Sequence, residues 1–525
     1  MHSATANRTD SDPSPFPVIL SNVRVYDKNA PKHLLRVAEI EPVFPEVGTV
    51  FGLIPLERHC NSKRSYMQTD MPCAVFSQVS RILGCHEKDE SSGRLTQTLR
   101  KNVRQRQNGK SCSLLKGLAD NLRIRQLPFQ CQLFAIHCAE ADSPPIRLLS
   151  SEYMPPRYAQ WMYDWETRLT SVDNNRVVRP LEWGVEWARD WPCRNGYAPG
   201  HIPENSESYL RDYNRRIVGS SDEFFSYIKP GDFRLERREV KVFSTRAVPD
   251  SALEKKVRGT HADFLRFTSP VRTPFPENNL VNARWFPARG KRAIVLLPHW
   301  NSDALAYNSL CRVLNLLGIS VLRLSMPYHD IRTPPEILRA DYAVSANIGR
   351  TLDACRQAVI DVRCCLDWLE FQGYRRLGIL GTSLGSCYAF LAAAHDQRIQ
   401  VAAFNHAATY VADVVWHGQS TRHIREGLES QIDLERLRVL WSAVSPASYF
   451  QQFARWRKKS LIIYAKYDLT FLPEFSRSAV HEFERHGLDH KVVVLPCGHY
   501  TTGETPYKYI DGWNLASFMR TAFEG

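Results

Sequence analysis

The stretch Leu377-Gly-Ile-Leu-Gly381-Thr-Ser383-Leu-Gly385-Ser-Cys-Tyr-Ala-Phe-Leu constrains the fold of this 525-residue chain more than any other. A short apolar run leads into Gly381-x-Ser383-x-Gly385, and a helical pattern rich in small residues comes next. A bare string of this kind arises by chance in roughly one chain in ten of this length, so the strand before it and the helix after it give it weight. A tight strand-to-helix turn holds its central Ser in a strained backbone conformation, and the residues two before and two after must lack clashing side chains. Ser383 would then project its hydroxyl above the sheet, at the positive end of the following helix. The plainer reading is a glycine-rich turn that packs a helix on a strand.

From about residue 261 onward, short apolar runs alternate with amphipathic stretches, which predicts an α/β fold: a mainly parallel sheet with crossover helices. The expected strands are Phe264–Phe267, Val281–Phe286, Ala293–Leu297, Ser320–Leu324, Leu377–Leu380, Val401–Phe404, Leu461–Tyr464 and Val492–Leu495. The first two are joined by a Pro-rich link with no room for a helix, so they should pair antiparallel at an edge. Expected helices are Asp303–Leu317, Leu352–Phe371, Leu384–Ala394, Pro473–Arg485 and Asp511–Phe523. Asp303 reads as an N-cap, and Gly318 and Gly373 as the glycines that end helices. Residues 409–455 carry more helix than a crossover needs and read as an insert over the sheet's C-terminal edge.

A serine hydroxyl becomes a nucleophile when a base takes its proton, and an imidazole held by a carboxylate is the usual base. On a sheet of this kind the chain order is Ser, acid, His. Leu461-Ile-Ile-Tyr-Ala-Lys-Tyr-Asp468 is a strand followed at once by an acid, and Val492-Val-Val-Leu-Pro-Cys-Gly-His499 is the last strand followed by a loop histidine. Both fall at the crevice where open α/β sheets bind ligands. The oxyanion would need two N–H donors. One is Leu384, directly after the serine. The other comes from Pro298-His299-Trp300-Asn301, read as Trp300 with His299 and Asn301 as alternatives.

These motifs resemble the α/β-hydrolase superfamily over residues ~261–525, about half of the chain. Within it, Leu324-Ser-Met-Pro-Tyr-His-Asp-Ile-Arg332 resembles the subgroup of abhydrolase domain-containing protein eighteen, and Ser445-Pro446 and Gly498-His499-Tyr500 agree with it. The resemblance implies an eight-stranded, mostly parallel sheet with helices on both faces, and hydrolysis through an acyl-enzyme. It leaves the acyl group open. Many superfamily members carry His-Gly in the oxyanion loop where this chain has His299-Trp300, and a bulky residue there does not readily take φ > 0.

Further candidates surround the site. Tyr328, His329 and Arg332 follow a strand whose loop should face the crevice and could recognise a polar or anionic head group. His406 follows the Val401–Phe404 strand and could line the pocket, as could His417 and His423 in the insert. Cys387 and Cys497 read as packing residues. No GxxxxGK loop, HExxH or CxxC pair occurs, and the histidines of His481-Glu-Phe-Glu-Arg-His486 do not share a helix face, so neither a cofactor nor a metal is expected.

The remainder of the chain differs in character. All twelve Trp lie at or beyond Trp161. Residues 1–153 read as a separate basic region, a weakly ordered extension, with a nucleic-acid or phospholipid arm and a native start at Met154 as alternatives. Between Arg94 and Arg125 nine Lys or Arg face one acid, Asp120, so this segment supplies most of the net charge of +13. It lacks interleaved aromatics, which argues against nucleic acid as a partner. Residues 154–260 are aromatic-rich. Trp183, Trp187 and Trp191 fall on one helical face and should dock this extension on the sheet-forming part of the chain. No apolar run is long enough to cross a bilayer and no secretory signal opens the chain. Thirteen cysteines, two of them adjacent, suit free thiols in the cytosol. The expected activity is therefore a cytosolic serine hydrolase acting on a carboxylic ester of a small-molecule or lipid substrate. Amide cleavage, transfer to an alcohol, and a noncatalytic binding module are the alternatives.

Overall fold

Among the described residues, nine strands form one sheet in the order β1-β2-β3-β5-β4-β6-β7-β8-β9. The computed structural model describes residues 156–171, 176–193, 204–241 and 257–524. The basic segment 94–125 and the alternative start at Met154 lie outside the described residues. The strands are β1 Arg234–Glu239, β2 His261–Thr268, β3 Leu280–Phe286, β4 Arg292–Leu297, β5 Ile319–Leu324, β6 Arg376–Thr382, β7 Ile399–Asn405, β8 Lys459–Ala465 and β9 His490–Leu495. Pairing is antiparallel from β1 to β5 and parallel from β5 through β9. Helices cover both faces, so the central strands are near-continuous apolar runs rather than alternating ones. In β4, Val295 and Leu297 enter the core beneath helices Ile348–Phe371 and Leu384–His395. Ile294 and Leu296 face the opposite way, toward Asn308–Leu316 and the closing helix Tyr507–Glu524.

All eight expected strands are present, and a ninth, β1, is added outside them. The expected edge pairing of β2 and β3 is antiparallel, but β2 is not the edge. β1 reads Arg-Leu-Glu-Arg-Arg-Glu and is exposed along almost its whole length, so it carries no apolar alternation that would mark it. A charged outer strand blunts edge-to-edge pairing between molecules. Taken without β1, the order is that of the α/β-hydrolase fold. β4 lies between β5 and β6, so the chain leaves it first to one side and then, after β5, to the other. The loops after β4 and β6 therefore open a crevice at the carboxyl edge, where such sheets bind ligands.

The described residues that precede β1 pack against this sheet and its helices. Glu182 and Trp183 offer their carbonyls to the N–H groups of Ile348 and Gly349 at 2.9 and 3.0 Å. They thereby satisfy donors that a helix start leaves without partners. The tryptophan stripe is not one long helical face. Gly184 turns left-handed and only Val185–Asp190 forms a short 3-10 helix. The rings still meet the core: Trp187 stacks near Phe275, and buried Trp191 donates from Nε1 to Asp353 Oδ1 at 2.7 Å. Asp303 accepts from the N–H groups of Leu305 and Ala306, capping a turn, while the helix begins later at Asn308.

The insert 409–455 is helical, with segments Val411–His417, Arg422–Leu428, Leu434–Leu440 and Phe450–Ala454. Its first part touches the loop after β8, where Gln419 N–H reaches Leu469 O at 2.7 Å. Its last part stacks Phe453 on Phe390, with ring centres 4.8 Å apart.

Candidate active site

β6 passes into helix Leu384–His395 through a single residue, Ser383, at φ 57° and ψ −123°. That backbone conformation is unfavourable for an L-residue by ~1–3 kcal/mol and persists only where neighbours fix it. Ser383 N–H donates to Asn405 O at 2.8 Å, and Ser386 N–H donates to Ser383 O at 2.8 Å. The flanking glycines are sterically required. A Cβ on Gly381 would lie 2.1 Å from Gly385 O, and one on Gly385 would lie 2.4 Å from Pro298 O. Beneath the turn, Asn405 Nδ2 donates to Asp511, whose carboxyl burial pushes up to about 7.

The loops after β8 and β9 bring two further groups to the hydroxyl. His499 Nε2 is 3.0 Å from Ser383 Oγ, and His499 Nδ1 is 2.9 Å from Asp468 Oδ2. Asp468 is almost fully buried, and its other oxygen accepts the N–H groups of Thr470 and Phe471 at 2.8 and 2.7 Å. A carboxylate bonded on both oxygens keeps its orientation. Phe471 lies flat against the His499 ring, 5.3 Å between centres and 10° between planes.

His406 is the residue whose role the sequence did not reveal. Its Nδ1 donates to the same Asp468 oxygen at 2.9 Å, and its ring sits 4.5 Å from that of His499. Like Ser383, it has a left-handed backbone, at φ 56°. Burial alone would raise the Asp468 carboxyl, but the charge of His499 and the bonds from both imidazoles outweigh it and hold the group well below the usual carboxylate range. Burial tends to lower the His499 pKa. Asp468 and then Glu166 outweigh that and raise it. His406 moves down, through burial and then the neighbouring His499, which leaves its ring neutral. The His406, Asp468 and His499 donor atoms lie within 4.8 Å of one another, a spacing an ion could also use. Here both imidazole nitrogens stand at hydrogen-bond distance from one carboxylate oxygen.

The remaining predicted residues divide. Leu384 is the first residue of its helix, so its N–H is one of the donors the helical ladder leaves free, directly beside Ser383. In the loop after β4 the left-handed turn falls on Asn301, at φ 60°, so Trp300 is spared that conformation. Asn tolerates it far better than a bulky residue does. The Trp300 ring is anchored by contacts of its own. Its Nε1 donates to Ala340 O at 2.9 Å, His423 stacks on one side and Arg176 lies 4.6 Å over it. His423 also lines a recess with Arg179, Asp341 and Ser345. His299 bonds Tyr307 Oη through Nδ1 at 3.0 Å, and burial followed by His499 pushes it down to about 4, so it is neutral.

Tyr328, His329 and Arg332 are all buried. Tyr328 is fully buried, packed edge-on against Phe275 and Tyr342. His329 is buried, with Nδ1 bonded to Pro327 O at 2.8 Å. Arg332 is completely enclosed. It bonds the carbonyls of Asn278 and Ser325 and pairs with Asp361 at 2.9 Å, so none of its charge is offered to a ligand. The strand-end position suggested a lining role, but a 3-10 turn at Asp330–Arg332 folds the loop back into the core.

No protein-family model matches the sequence, and no curated protein matches it significantly. Among solved structures, the chain is similar to an acetyl xylan esterase from Thermoanaerobacterium sp. at 15% identity, with TM-score 0.40, over 64% of this chain and 98% of that one. It is similar to an acetyl xylan esterase from Paenibacillus sp. at 13% identity and TM-score 0.39, over 61% and 96% of the two chains. It is also similar to an acylaminoacyl peptidase from Pyrococcus horikoshii at 11% identity and TM-score 0.38, over 55% and 48%. What defines the class is the strand order together with the glycine-flanked elbow at Ser383: an α/β-hydrolase fold.

Proposed function

We propose that the protein is a serine hydrolase that cleaves a carboxylic ester or similar acyl bond through an acyl-enzyme. One observation carries this reading: an unbroken hydrogen-bonded path from Ser383 Oγ through His499 to Asp468, at 3.0 and 2.9 Å, rooted at a left-handed serine. His499, with Nδ1–H on Asp468, has its Nε2 lone pair toward the hydroxyl and accepts the proton as Ser383 attacks the carbonyl carbon. The oxyanion collects at the Leu384 N–H, with a second donor from the Trp300 stretch. His499 then gives the proton to the leaving group. Water repeats the cycle by donating a proton to His499 and attacking the acyl carbon, which frees the acid and restores Ser383. Asp468 stays ionised throughout and stabilises the imidazolium.

The resemblance of Leu324–Arg332 to the subgroup of abhydrolase domain-containing protein eighteen supports the same class. Because that stretch is buried, it speaks to the fold rather than to the substrate. The seven cysteines among the described residues are all free and buried, in keeping with a cytosolic address. Among the described residues no helix is long and apolar enough to cross a membrane.

The test is hydrolysis of a panel of p-nitrophenyl esters against aminoacyl anilides, read across pH. The base works only as neutral imidazole, and its pKa is raised from 6.5. Ester turnover (kcat/KM) should therefore fall on acidification through a midpoint above 6.5. A midpoint well below 6.5, or anilides favoured over every ester, would contradict the reading.

His406 fixes the acid rather than touching substrate. A hydrogen bond to a charged group is worth ~1.5–3 kcal/mol, so His406→Phe should lower kcat by about ten- to a hundredfold with KM little changed. An unaltered kcat would remove His406 from the machinery.

A further inference from the structure

We infer that Glu166, on the helix Pro156–Ser171 that precedes the sheet, is a positioning residue for His499, holding its loop by two backbone hydrogen bonds and adding negative charge beside its ring. This inference rests on the hydrolase reading.

Glu166 is fully buried, on a helix far from the β9 loop in sequence. Its two carboxylate oxygens are divided between successive residues of that loop. Oε1 accepts Tyr500 N–H at 2.8 Å and Oε2 accepts Thr501 N–H at 2.9 Å, immediately after His499. On the other side of His499 the loop makes room for the same carboxylate: a Cβ on Gly498 would lie 2.4 Å from both Glu166 Cδ and Oε2. The glycine before the histidine thus permits the approach, and the two amides after it receive it. Glycine at 498 is demanded by Glu166 rather than by a backbone turn, because Gly498 does not have a positive φ.

The helix carrying Glu166 is itself fastened to this corner. Tyr158 Oη donates to Pro496 O and meets Tyr507 Oη at 2.7 Å, Thr501 Oγ1 donates to Met162 Sδ at 3.4 Å, and Tyr163 packs edge-on against Tyr467. Two anchored elements therefore share one carboxylate, and the imidazole sits between the residues it grips. Such support matters because a displacement of ~1 Å of a catalytic group can cost a hundredfold in rate.

The charge has its own consequence. His499 faces Asp468 from the β8 loop, His406 from the β7 loop, His299 from the β4 loop and Glu166 from the helix. Asp468 and Glu166 favour the protonated ring, while His299 and His406 are themselves held neutral. Glu166 is raised by burial and then by Asp468, against the two amide bonds.

Two variants of the full chain separate position from charge. In Glu166→Gln one oxygen still accepts an N–H, but the new NH₂ confronts the other, and the charge is gone. The kcat for a p-nitrophenyl ester should fall about ten- to a hundredfold with KM within about twofold, and the acid limb of kcat/KM should move to lower pH. Glu166→Asp keeps the charge but cannot span both amides, so kcat should fall while the acid limb stays in place. The His499 pKa, read by NMR on ¹³C-histidine-labelled protein and assigned with His499→Ala, should drop in the Gln variant and hold in the Asp variant. Folded variants with wild-type kcat, or with an unmoved His499 pKa in the Gln form, would overturn the inference. If Glu166→Gln does not fold, Glu166→Asp decides alone, and unchanged kcat there overturns it. Wild-type protein that hydrolyses no ester would instead overturn the hydrolase reading. The NMR titration would then still report on whether Glu166 acts on His499.

Discussion

Ser383→Ala is expected to abolish ester hydrolysis, with a loss on the order of 10⁶ in kcat if the serine and histidine act as one unit. The two hydroxyls next to it along the described chain are poorly placed to stand in. Ser386, one turn on, has its Oγ committed to the carbonyls of Ser383 and His406 at 2.7 and 2.8 Å. Thr382 precedes the elbow on the strand rather than at its tip. The variant should remain folded. It loses one hydrogen bond, to His499, worth about 1 kcal/mol, and alanine meets the same left-handed strain the serine already bears. Thermal unfolding should accordingly move by only a few degrees. Turnover close to wild type in a folded variant would mean that another group attacks.

Asp468→Asn should cost on the order of 10⁴ in kcat, and the contacts explain why. The amides of Thr470 and Phe471 demand an oxygen at one position of the side chain, since both are donors. An asparagine must then turn its NH₂ toward His406 and His499, where an oxygen now accepts from both rings. The two imidazoles would have to present unprotonated Nδ1 and carry their protons on Nε2. In that tautomer His499 cannot accept the Ser383 proton. A loss below tenfold would mean that a different carboxylate orients the base, and Glu166 would be the first to examine. Stability should respond as well. The native carboxyl is held below its ordinary 3.8, so its stabilisation is present above about pH 4 and is lost as pH falls further. Wild type and variant should therefore converge in thermal midpoint in strong acid and diverge toward neutrality.

The parts of this site that were legible in the sequence are those written in local pattern. The elbow needs two glycines and a serine within five residues, and the acid and base each follow an apolar strand directly. Loop residues placed after strands were harder to read. Arg332 and Tyr328 occupy positions that suggest the crevice. Tyr328 packs instead against Phe275 and Tyr342, and a 3-10 turn carries Arg332 into the core, where it meets Asp361 from a helix that begins sixteen residues later at Ile348. His406 was placed near the pocket, but its partner, Asp468, lies 62 residues away, and no spacing rule connects them. Glu166 is still less visible, because it meets its amides across 334 residues and sits in a helix whose other faces are aromatic or charged. β1 escaped notice for the opposite reason. An exposed edge strand need not bury an apolar face, so its sequence lacks the alternation by which strands are recognised.

The central claim is that the hydroxyl at 383 is an activated nucleophile. The most direct measurement is reaction of the full-length protein with a fluorophosphonate, followed by peptide mass spectrometry to locate the adduct. The account predicts one phosphonyl group on Ser383, formed more slowly as pH falls through the His499 transition and absent from His499→Ala. Label on another residue, or an intact and folded protein that takes up none, would contradict it.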